Sequence, residues 1–278
     1  MDERPRLSQK KKGERSPPPR GRVSLARALS KLGYSSRKAA EELVRDGRVS
    51  LDGRLERDPS TRLDLERGRI EVDGRRVLAA PRVHLLLNKP RGLVTTTSDE
   101  KGRDTVYRCL ADSHLPWVSP VGRLDKASEG LLLFTNDTRW AAAILAPENH
   151  VEKTYHVQIG RAADDDLVRQ IQGGVATDED ERLAARRVRL LRRGTKTSWL
   201  EVILEEGKNR EIRRLLDAIG VEVLRLVRVA IGPLALGTLP KGAWRHLSEG
   251  ETRALVHPSK GTAHPAPCLP QDSGPPRP

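Results

Sequence analysis

The chain has 278 residues, and 51 Lys+Arg against 38 Asp+Glu leave a formal charge of +13, so a polyanionic partner is predicted. No apolar run approaches the ~20 residues that span a bilayer, and the opening "MDERPRLSQKKKGERSPPPRGR" lacks the apolar stretch of a signal peptide, which predicts a cytoplasmic protein with no membrane contact. Cys109 and Cys268 have no CxxC partner and the seven histidines show no HxH or HxxxH spacing, so neither a disulfide framework nor a metal site is expected.

Residues 1–22 are rich in Lys, Arg and Pro, and residues 258–278 are rich in Pro. Both are expected to be disordered tails, because too little apolar surface offsets an ordering cost of about 1–2 kcal/mol per residue. The basic N-terminal tail would add sequence-independent attraction to phosphates.

Residues 23–78 read as a first compact unit. Leu25, Ala28, Leu29 and Leu32 recur at helical spacing before Gly33. Ser35 or Ser36 can cap a second helix with Ala39, Ala40, Leu43 and Val44 on its apolar side and Gly47 as its stop. "RVSLDGR" and "RIEVDGRRV" follow, two alternating segments that each turn on Asp-Gly, a hairpin signal. Arg37, Lys38, Arg45 and Arg48 cluster on or beside the second helix, and such charge runs are by default solvated faces. With "GYSSRKAAEELVRDGRV" at its centre, nearly all of 23–78 resembles the S4 RNA-binding module. The resemblance implies a small S4-like domain over 23–80 whose Arg37, Lys38, Arg45 and Arg48 follow the phosphates of folded RNA by shape more than by base edges.

"AAPRV" (79–83) reads as a linker, and 81–257 as a second domain. It opens with the strand "VHLLLN" and the loop "KPRGLVTT". Further strands are predicted at 130–135, 153–159, 199–204 and 223–231, and helices near 138–146, 164–172 and 209–219. Strands interspersed irregularly with helices predict an α+β fold on a mixed or antiparallel sheet, not a doubly wound parallel one. There is no P-loop and no GxGxxG, and no cofactor is expected.

Four segments of this domain stand out: "LNKPRGLVTT" (87–96), "GRLDKASEGLLLFTND" (122–137), "EKTYHVQI" (152–159) and "EGKNREIRRLLDAIG" (206–220). Each has an ordinary explanation. Asp125 can be a turn residue, Tyr155 a strand aromatic that shares its face with Lys153 and Val157, and Arg213 part of a solvated helix face. On a helical wheel Ile212, Leu215, Leu216 and Ile219 form the buried stripe, while Arg210, Arg213, Arg214 and Asp217 lie opposite, Arg213 nearest the edge. A guanidinium there can pair with a carboxylate and hold it ionised as a nucleophile. The wheel does not say which carboxylate.

In this order the segments resemble the catalytic domain of the RsuA/RluB-type ribosomal RNA pseudouridine synthases. Their pattern joins an S4 module to GRLD-x-x-[ST]-x-GLLLLTND, an EK-x-Y-x-V strand and EGK-x-x-Q-[IV]-[RK]-RM. The closing "LALGTLPKGAWRHLSEGE" fits as well. The resemblance implies that Asp125 is the catalytic aspartate, that Tyr155 stacks on an extruded uracil and that Arg213 pairs with the aspartate. Arg123, Leu226, Lys153, Asn209 and Arg210 would bind the flipped nucleotide. The implied reaction replaces the N1–C1′ bond of a uridine with C5–C1′, without metal or cofactor, by attack of Asp125 at C1′ or by assisted departure of the base. The expected partner is ribosomal RNA or a pre-ribosomal particle, large-subunit RNA ahead of small-subunit RNA, and a monomer is expected. Thr138, Glu211 and Leu215 depart from the family's usual Gly, Gln and Met, and Glu211 would place a negative charge near phosphate-binding arginines. Two other readings remain: a non-catalytic RNA-binding or ribosome-assembly protein, and a glycoside-cleaving enzyme that uses Glu129 with Asp125.

Overall fold

The computed structural model describes residues 22–111, 113–177, 181–205 and 207–257. The expectations for residues 1–21 and 258–278, and Cys268, fall outside them. The chain divides into one unit of Met1–Leu29 with Arg37–Leu78 and a second of Ser30–Ser36 with Ala79–Pro278.

In the first unit, strand β1 (Arg22–Ser24) leads into helix α1 (Leu25–Lys31), and α2 (Arg37–Arg45) follows. β2 (Val49–Leu51), β3 (Arg54–Glu56), β5 (Ile70–Val72) and β6 (Arg75–Arg76) form one antiparallel sheet in the order β3-β2-β5-β6, while β4 (Arg62–Asp64) pairs with β1. The Asp-Gly turns are those expected. Asp52 and Gly53 have φ of 52° and 80°, and Asp73 and Gly74 have 49° and 74°. Two successive left-handed residues match the twist of a two-residue hairpin, which Asn, Asp and Gly tolerate best. Leu25, Ala28, Leu29, Ala40, Val44, Val49, Ile70 and Val72 are buried, whereas Leu32, Ala39 and Leu43 of the expected stripes are half-buried.

The second unit is built on a mixed sheet of nine strands among the described residues. Its strands are β7 (His84–Lys89), β8 (Ser119–Val121), β9 (Glu129–Thr135), β10 (Lys153–Ile159), β13 (Arg187–Arg193), β14 (Ser198–Leu204), β15 (Val223–Ile231), β16 (Leu234–Ala235) and β17 (Trp244–His246). The order is β13-β14-β10-β15-β9-β7-β17, with β16 on β15 and β8 on β9. All these pairings are antiparallel except β15 with β9, which meet in parallel at Val227↔Glu129 and Arg228↔Gly130. Helices α3 (Thr138–Leu145), α4 (Asp165–Gly173), α5 (Glu211–Asp217) and α6 (Glu249–Val256), and the small hairpin β11 (Val175–Ala176) and β12 (Arg182–Leu183), complete the unit. The fold is α+β, as expected.

Both faces of the central strands are buried, and that explains the unbroken apolar run of β9. Leu132 and Phe134 join Leu85, Leu87, Val157, Leu200 and Val202 under α4 and α5, whose Leu167, Ile171, Ile212, Leu215 and Leu216 face them. Leu131 and Leu133 join Leu86 under Trp140 and Ile144 of α3 and Leu255 of α6. Leu131, Leu132 and Leu133 are therefore core, and Leu215 fills the same core where Met is usual. Asp137 caps α3 by accepting from the amides of Arg139 and Trp140 at 3.0 and 3.2 Å, so Thr138 is simply the first helical residue.

Strands β1, β4, β8, β11, β12, β13, β16 and β17 and helix α6 lie outside the expected elements. Strand β13, "RVRLLRR", carries four exposed arginines, and Val188 is its one buried residue. As an edge strand it carries charge that discourages pairing with other chains. Helix α6 begins with a capping box in which the Ser248 hydroxyl accepts from the Glu251 amide and the Glu251 carboxylate from the Ser248 amide.

Candidate active site

The loop between β8 and β9 holds Asp125. Its carbonyl accepts from the Ser128 amide at 3.0 Å, so Asp125 does open a turn, as its residue type suggests. Lys89 at the end of β7 and the segment that follows it, "PRGLVT", grip this turn. Lys89 Nζ donates to the carbonyls of Asp125 at 3.1 Å and Ser128 at 2.8 Å, and to that of Pro90 at 3.2 Å. The Gly92 amide donates to Lys126 O at 2.8 Å. Thr95 Oγ1 donates to Leu124 O at 2.7 Å, and the Leu124 amide donates back to it at 3.3 Å. Residues 124–128 are thereby fixed through their backbone. The Asp125 carboxylate makes no hydrogen bond among the described residues, and it borders a cavity of about 300 Å³.

Lys89 is fully buried. Burial pulls its ammonium from 10.5 down to about 8, against the raising influence of Glu129 and then Asp125. The unfolded chain keeps this proton up to about 10.5 and the folded chain loses it near 8. Unfolding takes up a proton between those values, so stability rises with pH there, by at most about 1.4 kcal/mol per pH unit. Lys89→Met lacks this dependence. Thermal unfolding of both proteins from pH 7 to 10.5 is expected to show the wild type gaining on the variant as pH rises. At pH 7 the variant is expected to be less stable by a few kcal/mol, on the order of 1–3 for each carbonyl left without a donor.

The cavity collects residues from across the sheet. Arg123 and Asp125 come from the loop, Lys153 and Tyr155 from β10, Leu226 and Arg228 from β15, and Lys208, Asn209 and Arg210 from the loop before α5. Tyr155 is buried, with Leu226 close by in the same core. All the residues expected to bind the nucleotide therefore line one cavity with Asp125 and Tyr155. Arg210 caps α5 from a left-handed conformation, φ 49° and ψ 29°. For a residue with a Cβ that conformation costs about 1–2 kcal/mol, and Arg210 is thus outside the helix to which the wheel assigned it.

Arg213 departs from the expectation. It does not line the cavity and forms no direct ion pair with Asp125. Its Nη1 donates to Val223 O at 3.3 Å and its Nη2 to Ala127 O at 3.4 Å. From the edge of α5 it thus ties the start of β15 to the turn that holds Asp125. Burial lowers its pKa, and the Asp125 charge opposes that. The two side chains are coupled through the field and through the backbone of the turn, because the guanidinium is committed to two carbonyls.

Glu211 is buried and lines the same cavity as Arg210, and its Oε2 accepts from the Lys208 amide at 3.0 Å, fastening the loop. Glu181 holds Lys208 Nζ at 2.9 Å and Arg214 Nη2 at 2.7 Å. Glu129 rules out the carboxylate-pair reading. It is 3% exposed and bound by Arg225 through both oxygens, at 2.9 and 3.1 Å, and by Lys241 at 2.9 Å. Burial alone would raise its pKa, but Arg225 and Lys241 outweigh it and the net shift is downward. An acid that must carry a proton is the opposite case.

In the first unit, Arg37 and Arg45 border a cavity with Arg27 and Arg62, and both reach Glu41, at 3.8 and 3.3 Å. Lys38 is not among its lining residues. Arg48 does not join them either, because Asp73 takes its guanidinium through two bonds of 3.0 and 2.6 Å. Arg27 and Arg62, one on α1 and one on β4, carry no sequence signal that groups them with α2.

Among the described residues no group of three or more His, Cys, Asp or Glu is placed to hold a metal ion, and no helix is long and apolar enough to cross a membrane.

A family model of RNA pseudouridylate synthases matches residues 83–218, and an S4-domain model matches 23–67. An RNA pseudouridine synthase of Mycobacterium tuberculosis is 38% identical over 247 residues, 87% of this chain and 96% of that protein. One from Aquifex aeolicus is 35% identical, over 84% of this chain and 93% of its own. Ribosomal large subunit pseudouridine synthase B of Bacillus subtilis is 33% identical, over 83% and 94%. A crystal structure of a pseudouridylate synthase superposes with a TM-score of 0.58 at 24% identity, covering 84% of this chain and all of that one, which is a likeness of fold.

Proposed function

Because the chain belongs to the RNA pseudouridine synthase family, we propose that it isomerises a uridine of ribosomal RNA, in the large subunit, with Asp125 as the residue that acts at C1′. That it is an RNA pseudouridine synthase follows from its family; the target and the residue roles are our reading. The observation that carries the roles is the convergence of Asp125, Tyr155, Arg123, Lys153 and Leu226 on one cavity from separate elements. The large-subunit target is supported by the name of the Bacillus subtilis relative.

The target base must leave its stack, at a cost of a few kcal/mol. Stacking on Tyr155 returns about 1–3 kcal/mol, and phosphate contacts from Arg123, Lys208 and Arg210 supply the rest. Leu226 closes the apolar side. Asp125 then acts on C1′ from a turn whose backbone is already fixed, so little reorganisation accompanies the reaction. The arginines around the cavity of the first unit add affinity that salt weakens.

The test is a comparison of pseudouridine maps of both ribosomal RNAs from cells with and without this gene. Carbodiimide labelling with primer extension is the readout, since the product has the mass of uridine. Loss of one large-subunit stop is expected. Loss of a small-subunit stop instead overturns the target. Salt-sensitive RNA binding with no stop lost would favour the non-catalytic RNA-binding reading.

A further inference from the structure

Two side chains that line the cavity are buried with a polar atom that finds no partner among the described residues: Arg228 at Nη2 and Ser128 at Oγ. Arg228 is 6% exposed. Its Nε donates to Leu131 O at 2.7 Å, which anchors the guanidinium, but Nη2 has no partner among the described residues. Ser128 is 2% exposed, and its hydroxyl is unused although its carbonyl holds Lys89. Both sit beside the residues already assigned. Arg228 is the cross-strand partner of Tyr155 and lies two residues from Leu226 on the same strand. Ser128 closes the turn that Asp125 opens.

An unsatisfied buried donor is costly, a buried guanidinium most of all. Such groups are rare in native interiors and call for a partner. The other side chains with unpartnered buried atoms, His84, Thr154 and His156, do not line this cavity. Here the missing partner has the chemistry of the base. Uracil presents two carbonyl acceptors on either side of one N–H donor. A guanidinium is donor-only and stays charged, whereas a hydroxyl both donates and accepts.

We propose that Arg228 and Ser128 form the polar edge that reads the extruded uracil, with Arg228 donating to a ring carbonyl. This rests on the reading of the cavity as the uridine site. The same contact bears on the chemistry. When N1–C1′ breaks heterolytically, the bonding pair stays on N1, and the uracil monoanion shares its charge with O2 and O4. C5 then bonds to C1′, the C5 proton is lost and N1 gains one, so the product is an isomer. A fixed cation at a carbonyl is worth most while the base carries that charge.

The test uses one RNA that the wild-type protein modifies, made with uridine, 2-thiouridine or 4-thiouridine at the mapped position. Sulfur is the weaker acceptor, so a donor that touches one carbonyl makes one thio-substrate slow. Single-turnover rates are expected to fall about 10²–10³-fold on uridine in Arg228→Met, with the thio effect of the wild type gone. Ser128→Ala, a smaller change, is expected to slow the reaction about tenfold. If Arg228→Met does not fold by circular dichroism, Arg228→Lys takes its place; it keeps the charge and loses the fixed fork, and it is expected to reduce the thio effect. An unchanged thio effect in a folded Arg228 variant, or an unchanged rate on uridine in Arg228→Met, overturns the proposal. A wild-type protein that modifies no uridine overturns instead the reading on which it rests.

Discussion

Asp125→Asn is expected to remove pseudouridine formation, by about 10⁴-fold or more in single-turnover rate, while the protein folds and binds RNA as before. The expectation of a selective effect comes from the way the turn is held. Lys89, Gly92 and Thr95 grip residues 124–128 through backbone carbonyls and the Leu124 amide, and none of these bonds uses the Asp125 carboxylate. Asn has the same shape, so the turn and the cavity wall stay as they are. What is lost is the negative charge and the nucleophile, which a neutral amide does not supply. Filter binding at several salt concentrations is expected to give affinities within about twofold of wild type, because phosphate contacts set the salt-dependent affinity. Carbodiimide mapping of the same reactions gives the yield. A normal yield from Asp125→Asn would remove Asp125 from the chemistry, whatever the role of the cavity.

How much of this was legible in the sequence depended on the range of the interactions. Local periodicity placed β10 and β15 at their observed bounds and α3, α4 and α5 within a few residues, because a side chain's face is set by its immediate spacing. The Asp-Gly turns were legible for the same reason. Asp125 was ambiguous locally and acquired a role only through its resemblance to the family pattern. What was not legible was the pairing of charges with distant backbone. Lys89 reads as an ordinary lysine before a proline, but its partner carbonyls at 125 and 128 are brought in by the β7–β9 pairing. Arg213 looked like a partner for a carboxylate because composition shows its charge and not the carbonyls of Ala127 and Val223 that occupy it. Arg48 looked like a phosphate contact because its partner Asp73, at the turn after β5, is 25 residues away in sequence. Arg228 is the extreme case: a basic residue in an apolar strand, whose burial appears only when β9 and β15 meet.

That meeting is the basis of the second large effect. Gly130→Ala is expected to destabilise the protein by about 4 kcal/mol or more, the scale of severe steric and backbone substitutions, and to lower Tm by about 10 °C. Gly130 has a φ of +100°, where a Cβ is strained, and a Cβ built there would lie 2.3 Å from Arg228 O and 2.9 Å from Arg228 N. The clash is with backbone, not with the end of a flexible side chain, so β9 and β15 must separate to relieve it. Their contact at Val227↔Glu129 and Arg228↔Gly130 is the sheet's parallel pairing, and it joins the half that carries Tyr155 to the half that leads to Asp125. Separation would also stretch the bond from Arg228 Nε to Leu131 O. Any folded fraction is therefore expected to lose activity beyond its loss of stability. Gly173→Ala provides the control: it ends α4, a Cβ there meets nothing within 4 Å, and a neutral or slightly stabilising change of about 0.5–1 kcal/mol is expected. Thermal melts of both variants would decide the matter. A Gly130→Ala protein that melts with the wild type would mean that the two strands do not approach as closely as the glycine requires.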